Sequence, residues 1–203
     1  INDLSYTLFG LKTLERSYLI KSQRHKHIIE RPQYLLMRIA LSINRDNIDD
    51  ALATYKALSN KYYTHATPTM FNFGTRNAQG ASCFLLCVDD SVDSIAEQEN
   101  NICHISKNAG GIGMSITSLR SIGASIGETG VSPGIIPFCK MYESVGNAIN
   151  QGGKRKGSIA CYMEPWHHEF LDFCELRRNT GSDDLRTRDL NIAIWCCDLL
   201  IER

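Results

Sequence analysis

Apolar residues recur at helical spacing near the start of the chain. One stripe consists of Leu35, Leu36, Ile39 and Ile43, and the next consists of Ile48, Leu52, Tyr55 and Leu58. Pro32 suits the first turn of the first helix, and Asp46 or Asn47 can cap the second. The pattern predicts two helices, each with one apolar face that packs against a neighbouring helix.

The pattern changes near residue 65, where short apolar runs begin to alternate with longer helix-like segments. The runs are residues 83–88, 112–116, 159–163 and 190–195, and the segments are residues 94–107, 136–149 and 166–178. In the last segment one side would carry Trp166, Phe170, Phe173 and Cys174. Short apolar runs are typical of buried strands. Their alternation with helices predicts an α/β architecture with largely parallel strands.

Glycine usage supports the same division of the chain. Thirteen of the fifteen glycines lie between Gly74 and Gly157. We therefore expect a helical region over residues 1–65 and an α/β region over residues 66–203.

Charge and hydropathy exclude some classes of protein. The 203 residues include 22 basic and 22 acidic side chains, and the sequence pI is about 7.1. Proteins that bind nucleic acid or membrane surfaces usually carry a basic excess, so neither partner is expected. No apolar run approaches the roughly 20 residues of a membrane span. The chain does not begin with Met, so we expect a fragment or a processed piece.

Cysteine and histidine spacing predicts no metal site. The eight cysteines form no Cys-x-x-Cys pair, and those inside apolar runs are typical of buried thiols in a reducing, cytoplasmic compartment. The neighbours Cys196 and Cys197 would alternate faces of a strand as core thiols. Adjacent histidines point apart on a helix, so His167-His168-Glu169 is interpreted as surface.

Three segments could approach a phosphate group. Residues 107–113, KNAGGIG, could bring backbone N–H groups to an anion, or could be a helix C-cap followed by a tight turn. Residues 64–69, THATPT, could bind phosphate through hydroxyls or cap the neighbouring backbone. Residues 150–157, NQGGKRKG, could be a solvated turn or a mobile loop that meets a phosphorylated small molecule.

Three further features carry candidate chemistry. Asp89-Asp90-Ser91 stands between a predicted strand and a helix, where it could cap the helix or contact nucleotide hydroxyls or a magnesium ion. Arg120 and the glycine-rich residues 123–130 form a second loop, which adds a cation for a polyphosphate. Cys83, at the start of an apolar run, could be redox-active or buried filler.

A series of strings occurs in one order along nearly the whole chain. They are FGLKTLERSYL, ERPQYLLMR, THATPTMFNFGT, SCFLL, DDSVDSI, ISKNAGGIGMSI, INQGGKRKGSIACYMEPWH, LRRNTG and RTRDLN. In order and spacing they resemble the large (catalytic) subunit of class I ribonucleotide reductase. The resemblance implies helices followed by an α/β barrel of ten strands, of which this chain would hold the first half. It also implies reduction of ribonucleoside diphosphates to deoxyribonucleoside diphosphates by radical chemistry.

The resemblance implies a set of substrate-side residues. Cys83 matches one of the two cysteines that supply electrons and become a disulfide. The positions that match substrate contacts are Thr67, Ser82, Cys83, Gly110, Gly111 and Arg155, with Arg155 reaching the substrate from the loop between the effector and substrate sites.

The resemblance also implies an allosteric site for a deoxynucleoside triphosphate or ATP, with Mg²⁺, at a dimer interface. The matching residues are Asp90, Ser91, Val92, Lys107, Arg120, Gly127, Glu128, Asn150, Gln151 and Lys154. Gly127 and Glu128 fall in the first loop of that site. Asn150 stands where relatives often have Asp, so the effector preference could differ.

The family resemblance implies partners as well. They are a second large subunit, a metal-containing small subunit that supplies the radical, and thioredoxin or glutaredoxin acting through a C-terminal segment. No covalent cofactor is expected. The radical cysteine and the partner of Cys83 would lie beyond this chain, so we expect the chain alone to be inactive. The alternative is a non-catalytic remnant that keeps effector binding or subunit pairing.

Overall fold

The computed structural model describes residues 2–108, 110–128, 130–149 and 157–203. The chain divides into two compact units, Ile1–Ser82 and Cys83–Arg203. The division into units lies after Ser82. The domain boundary predicted from the sequence lies after residue 65, and this domain boundary stays a prediction. The helical and α/β characters of the two units confirm the predicted fold class.

The first unit is helical. Its helices are α1 (Leu8–Thr13), α2 (Pro32–Ile43), α3 (Ile48–Ser59) and α4 (Thr67–Asn72), with a 3-10 turn at Asn2–Ser5 and a π turn at Leu14–Tyr18. Pro32 opens α2, where its fixed φ and missing N–H cost nothing. Asn47, one of the two predicted caps, accepts hydrogen bonds from the N–H groups of Asp49 and Asp50 at 3.0 and 3.2 Å.

The two predicted apolar stripes are only partly buried. The first unit's core consists of Leu19, Leu35, Leu36, Ile39, Leu58 and Met70. The prediction was wrong for Ile43, Ile48 and Leu52, which are exposed. Helical spacing gives the direction of a side chain but not how far the neighbouring helix extends to cover it.

A nearly buried ion pair links the parts of the first unit. The Nε of Arg38 lies 2.8 Å from Oε1 of Glu30, and the two side chains are 13% and 8% exposed. Oε2 of Glu30 accepts from the N–H of Ile20 at 2.9 Å, and Arg38 also donates to the carbonyl of Phe73. The pair therefore ties α2 to the segments on either side of it.

The second unit is built on a parallel sheet. Its strands are β1 (Cys83–Cys87), β2 (Gly111–Ser115), the short hairpin strands β3 (Ser125–Ile126) and β4 (Gly130–Val131), β5 (Ser158–Met163) and β6 (Asn191–Ile194). The four longer strands lie in the order β1-β2-β5-β6, and all are parallel. The helices are α5 (Val92–Lys107), α6 (Ile136–Ile149), α7 (Phe170–Glu175) and α8 (Asp198–Glu202), with a 3-10 turn at Asp183–Leu185.

The core of this unit lies on one face of the sheet. Ile112 and Met114 of β2 are buried together with Ile159, Cys161 and Met163 of β5, and residues of α5, α6 and α7 complete the cluster. Leu85 is 88% exposed and Trp195 is 60% exposed. The prediction of fully buried strands was therefore wrong for β1, whose side chains on one face are exposed.

The last predicted helix is shorter than expected. α7 begins at Phe170, and Trp166, although expected on its apolar side, is 62% exposed. Phe173 is buried, whereas Cys174 is exposed. Turns and a bend occupy residues 165–169, where the hydrogen bonds span two or three residues rather than the four of an α-helix: the N–H of His167 donates to the carbonyl of Glu164, and that of Glu169 donates to Nδ1 of His167. Within the described residues, no helix has both the length and the apolar character to cross a bilayer.

Replacement of Glu30 by Ala should destabilise the first unit by about 3–5 kcal/mol, because the Arg38 guanidinium would remain buried without its carboxylate. Urea unfolding followed by circular dichroism measures the change. Lys12→Ala is the matched control, since Lys12 pairs with Glu15 at 2.8 Å but is 68% exposed. An equal loss of unfolding free energy in both variants would show that the buried Glu30–Arg38 pair contributes no more than an exposed pair.

Candidate functional site

The amino ends of three neighbouring strands meet at one edge of the sheet. Cys83 of β1 lies opposite Gly111 of β2, and Gly111 lies opposite Ser158 of β5. Cys83 and Ser158 are exposed, whereas Gly111 is half-buried. This parallel register places a thiol beside a glycine backbone, although the two residues are far apart in sequence. We call Cys83, Gly110, Gly111 and Ser158 the thiol edge.

Gly110 is buried at the thiol edge and leaves no room for a side chain. A Cβ atom there would lie 2.6 Å from Cγ2 of Ile105 and 2.8 Å from Cε2 of Phe84. The N–H groups of Asn108 and Gly110 both donate to the carbonyl of Ile105, at 3.0 and 3.1 Å. These bonds cap the end of α5, as in the interpretation from sequence of a helix C-cap followed by a tight turn, and β2 begins at Gly111.

Two predicted substrate contacts belong to the first unit. Thr67 is the first residue of α4, and its hydroxyl lies 3.3 Å from that of Tyr18. Ser82 is half-buried. Within the second unit the structure brings together Cys83, Gly110 and Gly111; a pocket shared with Thr67 and Ser82 stays a prediction. Asn150, Gln151, Lys154 and Arg155 lie outside the described residues.

A second candidate site lies at the amino end of α5. Asp90 accepts a hydrogen bond from Nε of Arg120 at 2.5 Å, and Nη1 of Arg120 donates to the carbonyl of Ser125 at 2.8 Å. A cavity of about 200 Å³ adjoins this pair. We call it the effector cavity, after the effector-binding residues predicted there from the sequence, and its lining comprises Asp90, Ser91, Val92, Ile95, Arg120, Ile126, Ser132, Pro133 and Phe138.

The residues around the effector cavity have clear local roles. Ser91 caps α5, since its Oγ accepts from the N–H of Ser94 at 3.2 Å. Gly127 has a φ of +57°, which suits the turn between β3 and β4, and both Gly127 and Glu128 are exposed. The half-exposed carboxylate and guanidinium add charged groups to a cavity whose other lining residues are apolar except for Ser91 and Ser132.

Lys107 lies away from the effector cavity. It is the last residue of α5, a helix of 16 residues and hence about 24 Å long, whereas Asp90, Ser91 and Val92 are at its start. A single chain therefore brings together Asp90, Ser91, Val92 and Arg120 but not Lys107.

The structure corrects the interpretation of His167-His168-Glu169 as surface. His168 is exposed, but Glu169 is only 4% exposed. Among the described residues, no group of three or more His, Cys, Asp and Glu side chains is placed to hold a metal ion. The missed burial had one sequence signal: Glu169 precedes the buried Phe173 by four residues and shares its helical face.

The cysteines are also less buried than expected. Only Cys139 and Cys161 are buried among the eight, all of which the structure describes. A side-chain hydrogen bond with Cys161, together with burial, raises the pKa of the Cys139 thiol well above its usual range. Cys196 is exposed and Cys197 half-buried beyond the end of β6, so their assignment as core thiols of a strand was wrong.

Comparison with known proteins agrees with this architecture. Residues 4–78 match the ribonucleotide reductase all-alpha domain, and residues 81–203, more than half of the chain, match the ribonucleotide reductase barrel domain. The chain belongs to the ribonucleotide reductase large-subunit family. The resemblance inferred from the sequence strings is thereby confirmed.

Individual relatives in the ribonucleotide reductase family are similar along the entire chain. The ribonucleoside-diphosphate reductase large subunit of Monkeypox virus is 50% identical over 99% of this chain, and that of Arabidopsis thaliana is 47% identical over 99%. The large subunit of Plasmodium falciparum (isolate Dd2) is 48% identical over 99%. The chain spans about a quarter of the length of these relatives, 25–26% of each.

Gly110→Ala should destabilise the second unit by about 1–3 kcal/mol, because the new methyl group would overlap Ile105 and the Phe84 ring. Thermal or urea unfolding provides the measurement. Gly113→Ala serves as the control, since its Cβ would meet the flexible Leu85 side chain at 3.1 Å and would cost less. A Gly110 variant as stable as the Gly113 variant would refute this prediction.

Proposed function

We propose that the chain takes part in the reduction of ribonucleoside diphosphates to deoxyribonucleoside diphosphates for DNA synthesis, as part of a catalytic large subunit. The observation that carries the proposal is the exposed Cys83 at the thiol edge, in register with Gly111, within a chain of the reductase family. An exposed thiol at a strand end can meet a substrate, whereas a thiol in the core cannot.

The chemistry assigned to Cys83 is the delivery of electrons. Two thiols lose two electrons and two protons and join as a disulfide, while the ribose loses one hydroxyl oxygen as water and gains hydrogen. Gly111, which has no side chain, would let the backbone approach the substrate closely, and Gly110 would hold that backbone in place by its close packing against Ile105 and Phe84. The second thiol and the radical cysteine would come from the rest of the large subunit, so we propose that these 203 residues alone do not turn over.

We propose that the effector cavity binds a deoxynucleoside triphosphate or ATP with Mg²⁺. The Arg120 guanidinium can pair with phosphate oxygens, and Asp90 and Ser91 offer acceptors for hydroxyl groups. Lys107 is about 24 Å away along α5, so its participation requires a second copy of the chain. This requirement supports a homodimer with the effector between subunits.

The proposal extends to the remaining partners. The radical would come from a metal-containing small subunit, and thioredoxin or glutaredoxin would reduce the disulfide through a C-terminal segment of the large subunit. We propose a cytoplasmic location, which the sequence pattern of the cysteines supports. Arg155, Gln151 and Lys154 would act in the loop between the two sites.

A second candidate function is effector binding without turnover. It is favoured by one observation: every residue that lines the effector cavity lies within Cys83–Arg203, and so does its Asp90–Arg120 pair.

Co-expression of this chain with a large-subunit segment carrying the other cysteines, and with the small subunit, distinguishes the two candidate functions. Diphosphate reduction supports the catalytic proposal, and effector binding with no reduction supports the alternative.

Cys83→Ser should abolish multiple turnovers in that reconstituted enzyme, because a serine hydroxyl cannot form the disulfide. Effector binding should be unchanged, since Cys83 lies outside the effector cavity. Product formation from CDP, measured with dithiothreitol as reductant, reports the loss. Cys87→Ser, at the other exposed end of β1, is the matched control and should keep normal turnover. A normal rate in the Cys83 variant would rule out its redox role.

Arg120→Ala should weaken binding of dTTP or dATP by about tenfold, roughly 1.4 kcal/mol, through loss of charged hydrogen bonds. Isothermal titration calorimetry with Mg²⁺ present gives the affinity. Arg178→Ala is the control, because Arg178 forms an exposed pair with Glu175 away from the cavity. Equal affinities for wild type and the Arg120 variant would show that this cavity is not the effector site.

A further inference from the structure

Glu169 is a buried carboxylate with no role in the function proposed above. It is 4% exposed and stands immediately before α7. Its Oε2 accepts hydrogen bonds from the N–H of Ile122 at 2.9 Å and from the N–H of Ile135 at 3.2 Å. Oε1 adds a longer contact of 3.4 Å to the N–H of Ile135. One side chain thus binds two backbone amides that are 13 positions apart in sequence.

Those two amides bracket one wall of the effector cavity. Between Ile122 and Ile135 lie the β3–β4 hairpin and three cavity residues, Ile126, Ser132 and Pro133. Arg120, which pairs with Asp90, stands two residues before Ile122. The carboxylate therefore holds both ends of the segment that carries this wall.

His167 holds the same segment from the other side of Arg120. Its Nδ1 accepts from the N–H of Glu169 at 3.1 Å. In the neutral ring Nε2 then carries the proton and donates to the carbonyl of Leu119 at 2.8 Å. Leu119 and Ile122 flank Arg120, so the backbone of Arg120 is held on both sides.

Gly134 shows that the segment is shaped around this carboxylate. Its φ is +81°, and a Cβ atom there would lie 2.4 Å from Oε1 of Glu169. The carboxylate occupies the volume that a side chain would need, which allows the Ile135 amide to approach it. The positive φ and the absent side chain of Gly134 together form a site that fits the Glu169 carboxylate.

The surroundings of Glu169 supply amides rather than cations. Glu169 forms no ion pair with any residue in the described ranges. The neighbouring cavity is lined by Asp172, Glu175 and Asp184 as well as by Arg186. The negative charge is therefore stabilised chiefly by hydrogen bonds from the backbone it holds, and loss of those bonds would leave a buried charge unsatisfied.

We propose that Glu169 is the positioning residue of the effector cavity: it fixes the backbone at Ile122 and at Ile135 and thereby sets the Arg120 guanidinium against Asp90. The inference rests on the proposed effector site for its ligand, but the positioning itself is independent of any nucleotide. Glu169 touches no substrate and acts only through the segment that it binds.

Amide hydrogen exchange by NMR on the full 203-residue chain tests the positioning directly. Glu169→Ala should remove protection from the amides of Ile122 and Ile135 and should weaken protection of the Arg120 Nε–H. Glu169→Gln keeps one acceptor oxygen in the place of Oε2, so protection should persist at Ile122 and fall by a smaller amount at Ile135, which loses only its longer contact to Oε1. Asp172→Ala removes an exposed carboxylate on the next turn and should change the protection of neither amide.

Unchanged protection in both Glu169 variants would overturn the proposal, and the Gln variant decides it if the Ala variant does not fold.

Titration with dTTP and Mg²⁺ separates positioning from general destabilisation. Glu169→Ala should lower dTTP affinity by about tenfold, within the range usual for coupled sites. Leu190→Ala removes a buried side chain elsewhere in the same unit, so it should lower the melting temperature and leave affinity unchanged. Equal affinity in the Glu169 variant and wild type would overturn the proposal. If wild type itself does not bind dTTP, the proposed effector function fails, and the exchange measurement still decides whether Glu169 positions Arg120.

Discussion

The parallel register of β1, β2 and β5 is the constraint on which the rest of the second unit depends. It sets Cys83, Gly111 and Ser158 at one level, although 28 positions separate Cys83 from Gly111 and 47 separate Gly111 from Ser158 along the chain. A slip of one residue would turn every side chain of a strand to the opposite face. Met114 and Cys161 would then leave the core, so the packing of the helices against the sheet enforces the geometry of the thiol edge.

Helix α5 connects the two candidate sites physically. It begins at Val92 beside the effector cavity and ends at Lys107, immediately before the Gly110–Gly111 turn of the thiol edge. Ile102 is fully buried in the core, and the helix packs against α6. A displacement at one end of a packed helix moves its other end as well. The fold therefore places one stiff element between the proposed effector and the proposed reactive thiol.

Local patterns predicted the elements of this fold better than they predicted burial. The strands around Cys83, Ile112, Ile159 and Ile192 and the helices α5 and α6 follow from apolar runs and helical spacing, both of which are local. Helical spacing from Phe173 was a signal for the burial of Glu169, but its hydrogen-bond donors could not be predicted in that way, because they lie 34 and 47 residues earlier, in a loop whose path depends on tertiary contacts. The predicted burial of Ile48 and Cys196, both of which are exposed, was wrong for the same reason: the spacing of apolar residues does not reveal which element covers a face.

The contact between Cys139 and Cys161 has a consequence for chemical labelling. The two thiols lie on α6 and β5, the elements on either side of residues 150–157, and a raised pKa keeps Cys139 in its unreactive thiol form. An alkylating reagent would therefore modify these two sulfur atoms only when α6 lifts from the sheet. The pair is a built-in reporter of that separation, and its reaction rate with iodoacetamide would measure how often α6 moves away from β5.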